Sequence, residues 1–183
     1  METKQSIRRE VFARRKMADE TEITAKSDLI FQKLIQLPEF LKAEYFFAYM
    51  DFKKEVMTAK MIEKAFALGK KVAVPKVEGE NMIFYEICDF SRLESGYFGI
   101  PEPEGCKECT AQSGFLLVPG VAFDTQRHRI GYGKGFYDRY LAAHPEFFKA
   151  AVAFEFQLFD EVPYEKTDIL PDLLITENRL IRG

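Results

Sequence analysis

The sequence predicts an α/β protein, a three-layer sandwich in which a mainly parallel sheet carries helices on both faces. Two observations lead there. Short apolar runs without polar alternation, such as Tyr45-Phe46-Phe47-Ala48-Tyr49-Met50 and Ala150-Ala151-Val152-Ala153-Phe154, read as strands buried on both sides. Between them lie stretches whose apolar residues recur at three- and four-residue spacing. Strands that alternate with helices pair in parallel, because a parallel connection needs a crossover and a helix supplies it.

The elements follow in order. Residues 4–17 place Ile7, Val11 and Arg14-Arg15 at helical spacing, and 24–36 repeat the pattern with Leu29, Ile30, Leu34 and Ile35 before Pro38 stops the run. The aromatic run 45–50 is the first strand. Thr58 is placed to cap a helix running to Leu68, with Gly69 as its stop, and Lys71–Pro75 is the next strand, which completes a βαβ unit. Met82–Ile87 and Phe115–Val118 are further strands. A glycine-rich loop then leads into a helix ending at Ala143, the strand Ala150–Phe154 follows, and Leu173–Thr176 closes the set. In such a sheet ligands gather beyond the carboxyl ends of the strands, which makes Glu55, Lys76, the glycine loop and Glu155 candidates for one cleft. The chain has no internal repeat. With 183 residues, 47% of them hydrophobic and including 18 Phe and 8 Tyr, it can bury one ample core, so a single domain over 1–183 is expected.

Composition excludes several classes. Lys and Arg number 26 against 29 Asp and Glu, a net charge of −3, so neither nucleic acid nor an anionic membrane is an expected partner and any anion site must be local. The start, Met1 to Ser6, has no apolar run, and no stretch is apolar for long enough to span a bilayer; a cytoplasmic monomer acting on a small molecule is expected. Cys106 and Cys109 form a lone Cys-x-x-Cys. A zinc site would need two more ligands, and His128 and His144 are distant in sequence, so the pair reads as an unbridged surface thiol pair. His128, in a polar stretch without an evident carboxylate partner, reads as a turn residue rather than a base.

The chemistry concentrates in Arg129-Ile130-Gly131-Tyr132-Gly133-Lys134-Gly135-Phe136-Tyr137-Asp138-Arg139. Glycines at every second position clear side chains from one face, so that backbone N–H groups can approach an anion. Arg129 and Lys134 add positive charge, and the helix beginning at Phe136 turns its N-terminus toward the same place. Asp138 beside a phosphate loop calls for a cation between them and is a candidate magnesium ligand. A P-loop would need Ser or Thr after the lysine, where Gly135 stands, and the dinucleotide fingerprint would need glycine where Phe136 stands. A purely structural glycine-rich turn, with Asp138 only favouring the first helical turn, is the other reading of the same residues.

This stretch, with Leu117-Val118-Pro119-Gly120-Val121-Ala122-Phe123-Asp124 before it, resembles the signature of the 5-formyltetrahydrofolate cyclo-ligase family. The likeness extends to Lys4 and Arg8, to Tyr49–Thr58 with Glu55, to Val74-Pro75-Lys76, to Gly99-Ile100-Pro101-Glu102-Pro103 and to Asp168, and so spans nearly the whole chain. Two positions depart from the usual pattern: His128 stands where glycine is common, and Phe136 where tyrosine is commoner. The resemblance implies ATP and Mg2+ as cofactors and 5-formyltetrahydrofolate as substrate. It implies that Lys4, Arg8, Gly131, Tyr132, Gly133, Lys134, Gly135, Phe136, Tyr137, Asp138 and Arg139 bind ATP, with Lys134 and Arg129 as catalytic cations. It further implies that Met50 and Glu55 contact the folate and that Asp138 and Asp168 hold magnesium. By themselves Lys4 and Arg8 would pass as a solvated helix face, Glu55 and Asp168 as loop charges and Met50 as core. Two other readings stay open: a relative that phosphorylates or ligates another small molecule, and a nucleotide-binding module without turnover.

Overall fold

The computed structural model describes residues 3–183; Met1 and Glu2 of the polar start lie outside them. The chain opens with helices α1 (Lys4–Met17), α2 (Glu20–Leu34) and α3 (Pro38–Lys42), followed by strand β1 (Tyr45–Phe47), α4 (Ala59–Ala67), β2 (Lys71–Glu78) and β3 (Asn81–Ile87). A small hairpin, β4 (Leu93–Ser95) with β5 (Pro101–Pro103), precedes β6 (Lys107–Glu108) and β7 (Phe115–Val118). Then come β8 (Ala122–Asp124), β9 (Arg129–Ile130), α5 (Phe136–Ala143), β10 (Phe148–Val152), β11 (Leu158–Phe159), β12 (Leu173–Ile175) and β13 (Leu180–Arg182).

Eight strands form one sheet in the order β13-β12-β10-β7-β1-β2-β3-β6. The pairs from β12 to β2 are parallel, and the outer strands β13, β3 and β6 are antiparallel. The expected parallel sheet is therefore its centre, edged by hairpin-like returns. Neighbouring residues of each central strand point into opposite cores. Phe46, Val72, Phe115, Ala150 and Leu173 pack with α2, α3 and α4. Phe47, Ala73, Leu116, Ala151 and Leu174 pack with Leu141 of α5 and with Phe147. A period of two with both faces buried is why these strands read as continuous apolar runs. A third cluster seats Ile7 and Val11 of α1 on Val121, Ala122, Ile130 and Val162.

Several boundaries differ from expectation for identifiable reasons. Pro38 starts α3 instead of merely ending α2, because at the first helical position its missing N–H costs nothing. Thr58 occupies the N-cap of α4, but its hydroxyl donates back to the Tyr49 carbonyl at 2.8 Å, so it ties the loop to the strand end. β1 stops at Phe47. It covers β2 only as far as Ala73, beyond which β2 pairs with β3 alone; a proline at 75 fits such an edge. The early end of β1 opens the space beyond it. No helix among the described residues is long and apolar enough to cross a membrane.

Candidate active site

Beyond the carboxyl ends of β1 and β7 lies a cavity of ≈ 1130 Å³. Lys4, Arg8, Met50, Glu55, Arg129, Asp168 and every residue from Gly131 to Asp138 line it. Arg139 does not. It donates to the carbonyls of Lys134 (2.9 Å) and Glu80 (2.7 Å) and lies over the Phe136 ring, so it braces the loop from outside. Lys76 and Glu155 also fall away from the cavity lining: Lys76 pairs with Glu104 at 2.6 Å, and Glu155 pairs with Arg179 at 2.5 Å. Strand-end position alone did not decide where those two side chains went.

One wall is the glycine loop. Gly133 and Gly135 have φ of +96° and +69°, left-handed conformations that a side chain would strain, and Gly135 sits immediately before α5. Arg8 comes over from α1, and its Nε donates to the Gly131 carbonyl at 2.8 Å. Arg129 is buried and donates to the Pro119 carbonyl at 3.2 Å and to Asp138 at 2.7 Å. Its Nε is buried with no partner, as is the Tyr137 hydroxyl. Lys134 is exposed at the cavity edge. Lys4 reaches the turn after β11, 3.1 Å from Glu165 and 3.6 Å from Asp168, while the Glu165 N–H donates to Asp168 at 2.9 Å. Backbone N–H groups, four cations and orphaned buried donors fit a polyanionic ligand. Asp138 and Asp168 both face the cavity. Among the described residues no three His, Cys, Asp or Glu side chains group to hold a metal.

The other wall centres on Glu55, which is 7% exposed. Lys53 and Lys54 adopt positive φ, and this tight turn lets the Phe52 N–H donate to Glu55 Oε2 at 2.9 Å. The Tyr132 hydroxyl donates to the other carboxylate oxygen. Arg15, from α1, donates to that hydroxyl at 2.6 Å and to the Gly120 carbonyl at 3.2 Å. Burial pushes the Glu55 carboxyl above the usual carboxylate range, against the lowering influence of Arg15, the Tyr132 hydrogen bond and the Phe52 N–H. Burial and the Glu55 charge likewise push the Tyr132 hydroxyl up, although the rest of its ring is half exposed. The rim is aromatic. Phe12 stacks on Tyr132 with ring centres 6.1 Å apart, and Tyr97 meets Phe136 edge-on at 6.2 Å.

Sequence reading missed Arg15, Phe12 and the Tyr97-Phe98 pair as lining residues. A signal existed for the first two. Lys4, Arg8, Phe12 and Arg15 are spaced to share one stripe of α1, adjoining the buried Ile7 and Val11. The reading of His128 also needs correction, since it has a carboxylate partner. Its Nδ1 lies 2.8 Å from Asp124 Oδ2, and its ring stacks on Tyr164 at 3.7 Å. The sharp turn at Arg127 (φ 72°) brings the two together. Cys109 is buried rather than on the surface, and all three cysteines are free.

Fold and cavity together define an α/β protein in which a glycine-rich loop and a buried carboxylate line one cavity. The sequence profile of the 5-formyltetrahydrofolate cyclo-ligase family matches residues 1–177, and the chain belongs to that family. It is 32% identical over 189 residues to a Schizosaccharomyces pombe protein named probable 5-formyltetrahydrofolate cyclo-ligase, covering 92% of this chain and 91% of the other. A Caenorhabditis elegans protein of the same name is 30% identical over 176 residues, covering 87% and 85%. The solved structure of Aquifex aeolicus 5,10-methenyltetrahydrofolate synthetase matches with a TM-score of 0.87 at 34% identity, over 98% of this chain and 92% of that one.

Proposed function

We propose that this chain catalyses the ATP-dependent closure of 5-formyltetrahydrofolate to 5,10-methenyltetrahydrofolate, releasing ADP and phosphate in the cytoplasm. One observation carries the reading: the anion loop and the Glu55 wall open into the same cavity, so a triphosphate and a pterin can meet there. A formamide is a poor electrophile and its oxygen a poor leaving group. ATP supplies the phosphoryl group that activates that oxygen; the formyl oxygen attacks the γ-phosphorus and ADP departs. The nitrogen at position 10 then adds to the formyl carbon, and phosphate leaves with the former formyl oxygen and takes up the proton that this nitrogen gives up.

The protein's part is positioning and charge neutralisation, in keeping with a site that lacks a Ser-His or Cys-His nucleophile pair. Lys4, Arg8 and the backbone from Gly131 to Gly135 would hold the phosphates. Lys134 and Arg129 would neutralise the charge that grows on the transferring group. Asp138 and Asp168 would hold Mg2+ against the phosphates; in the structure each is engaged by a cation, Arg129 and Lys4 respectively, which phosphate oxygens would draw away. Glu55, with Met50 beside it, would receive the pterin's amino and ring N–H donors. Mixing the protein with ATP, Mg2+ and 5-formyltetrahydrofolate should produce the absorbance of the methenyl product. ATP binding without that gain would reject the reading.

A further inference from the structure

We propose that Arg15 is the positioning residue of the substrate wall, fixing the Glu55 carboxylate and keeping it anionic through the Tyr132 hydroxyl. The inference rests on the reading of Glu55 as the pterin acceptor and adds to it a residue from another element. Arg15 is 4% exposed, the most buried cation on the cavity wall. A guanidinium taken so far from water is costly unless an anion compensates it. Its two hydrogen bonds go to the Tyr132 hydroxyl and the Gly120 carbonyl, so its charge reaches Glu55 through the phenol. The Tyr132 hydroxyl has one proton. Because Arg15 can only donate, that proton is directed onto Glu55, which fixes the carboxylate as an acceptor.

The groups that face Glu55 leave this task to Arg15. From its own loop come Asp51 and Tyr49, and from the region of the glycine loop and α5 come Tyr132 and Tyr137. Asp51 opposes the charge of Glu55 and is itself committed to the Thr58 N–H. The Tyr49 hydroxyl donates to the Val56 carbonyl. Arg15 is the cation of the set. A protonated Glu55 would present a hydroxyl donor to the donors of the pterin, so substrate affinity should fall where Glu55 takes up a proton, and Arg15 should set the pH at which that happens.

The test is steady-state kinetics across pH, varying 5-formyltetrahydrofolate at saturating ATP and Mg2+, then varying ATP at saturating folate. Arg15→Met should raise the KM for the folate about tenfold and leave the KM for ATP within about twofold. It should also move the acid limb of kcat/KM for the folate upward by about one pH unit. Arg15→Lys, which keeps the charge, should recover most of the limb. Tyr132→Phe should shift the limb in the same direction, and it decides the matter if Arg15→Met does not fold. A folded Arg15→Met or Tyr132→Phe variant with wild-type folate KM and an unmoved acid limb overturns the proposal. Glu55→Gln separates the two possible failures. An unchanged folate KM there sinks the acceptor reading itself, whereas a raised one beside a silent Arg15→Met sinks only the role of Arg15.

Discussion

The glycine loop from Gly131 to Asp138 and the Glu55 wall enclose one cavity but are built differently. The loop offers backbone and cations: Gly133 and Gly135 in left-handed conformations, Lys134 in solvent, and a half-buried Arg8 laid across from α1. Its bare backbone comes from local sequence, because three glycines at alternate positions dictate where side chains are missing. Glu55 depends instead on side chains from three places: its own loop, Arg15 on α1 and Tyr132. A polyanion can be held by many weakly directional contacts, whereas a heterocycle's donors need one acceptor with fixed orientation and charge. Under the proposed reading, the site divides its work between a surface that tolerates local adjustment and a network that tolerates little.

That contrast can be broken experimentally, starting where the effect should be largest. Asp138→Asn keeps an acceptor for Arg129 but removes the charge offered to magnesium. Turnover should fall by about 3 kcal/mol of barrier, most severely at limiting Mg2+, with the melting temperature little changed. Near-normal turnover at limiting Mg2+ would remove Asp138 from the metal. On the other wall, Glu55→Gln should weaken folate binding by about 2 kcal/mol and leave ATP binding nearly intact, as measured by separate titrations. Equal weakening of both ligands would erase the division of labour.

The same variant sharpens the electrostatic side of the comparison. Glu55's folded carboxyl titrates above its unfolded range, so the folded chain holds the proton more tightly, and stability should decline as pH rises from the ordinary carboxylate range through the folded value. Glu55→Gln should flatten that decline in denaturant melts; an unaltered slope would show that the carboxylate is not the source. Lys134→Ala comes next, with turnover down about tenfold and ADP affinity little changed, since an exposed cation matters most when transferring charge appears. A folded, fully active variant would return Lys134 to solvent. The smallest effect belongs to Gly133→Ala. A Cβ there lies 3.5 Å from the Arg8 guanidinium, ordinary contact, so the cost is the φ of +96°, about 1 kcal/mol of stability. Unchanged stability would mean that the loop relaxes to another conformation.

Legibility in the sequence followed the range of the forces involved. Helices α1, α2 and α4 and the central strands were readable because apolar periodicity records which face each element buries. The ends of β1 and β2 were not, because the stopping point of a strand depends on how far its neighbour runs. Lys4, Arg8, Met50, Glu55 and Asp168 were named from family resemblance, and the structure brings all of them to one cavity with the loop. Arg139 was named with them but braces the loop from outside, a matter of which way one side chain leaves a helix.

By itself, then, the sequence determined what is encoded locally: the order of the central strands and of helices α1, α2, α4 and α5, the bare backbone of residues 131–135, the acidic first turn of α5, and the absence of any large net charge. Tertiary structure decided what requires distant residues to meet. It joined Arg15, Tyr132 and Glu55, positions 117 and 77 residues apart along the two hydrogen bonds, into one relay. It also set Lys4 against Asp168. The physical reason is that periodicity and propensity act over a few residues, whereas burial of a charge acquires its meaning only from the groups that folding packs around it.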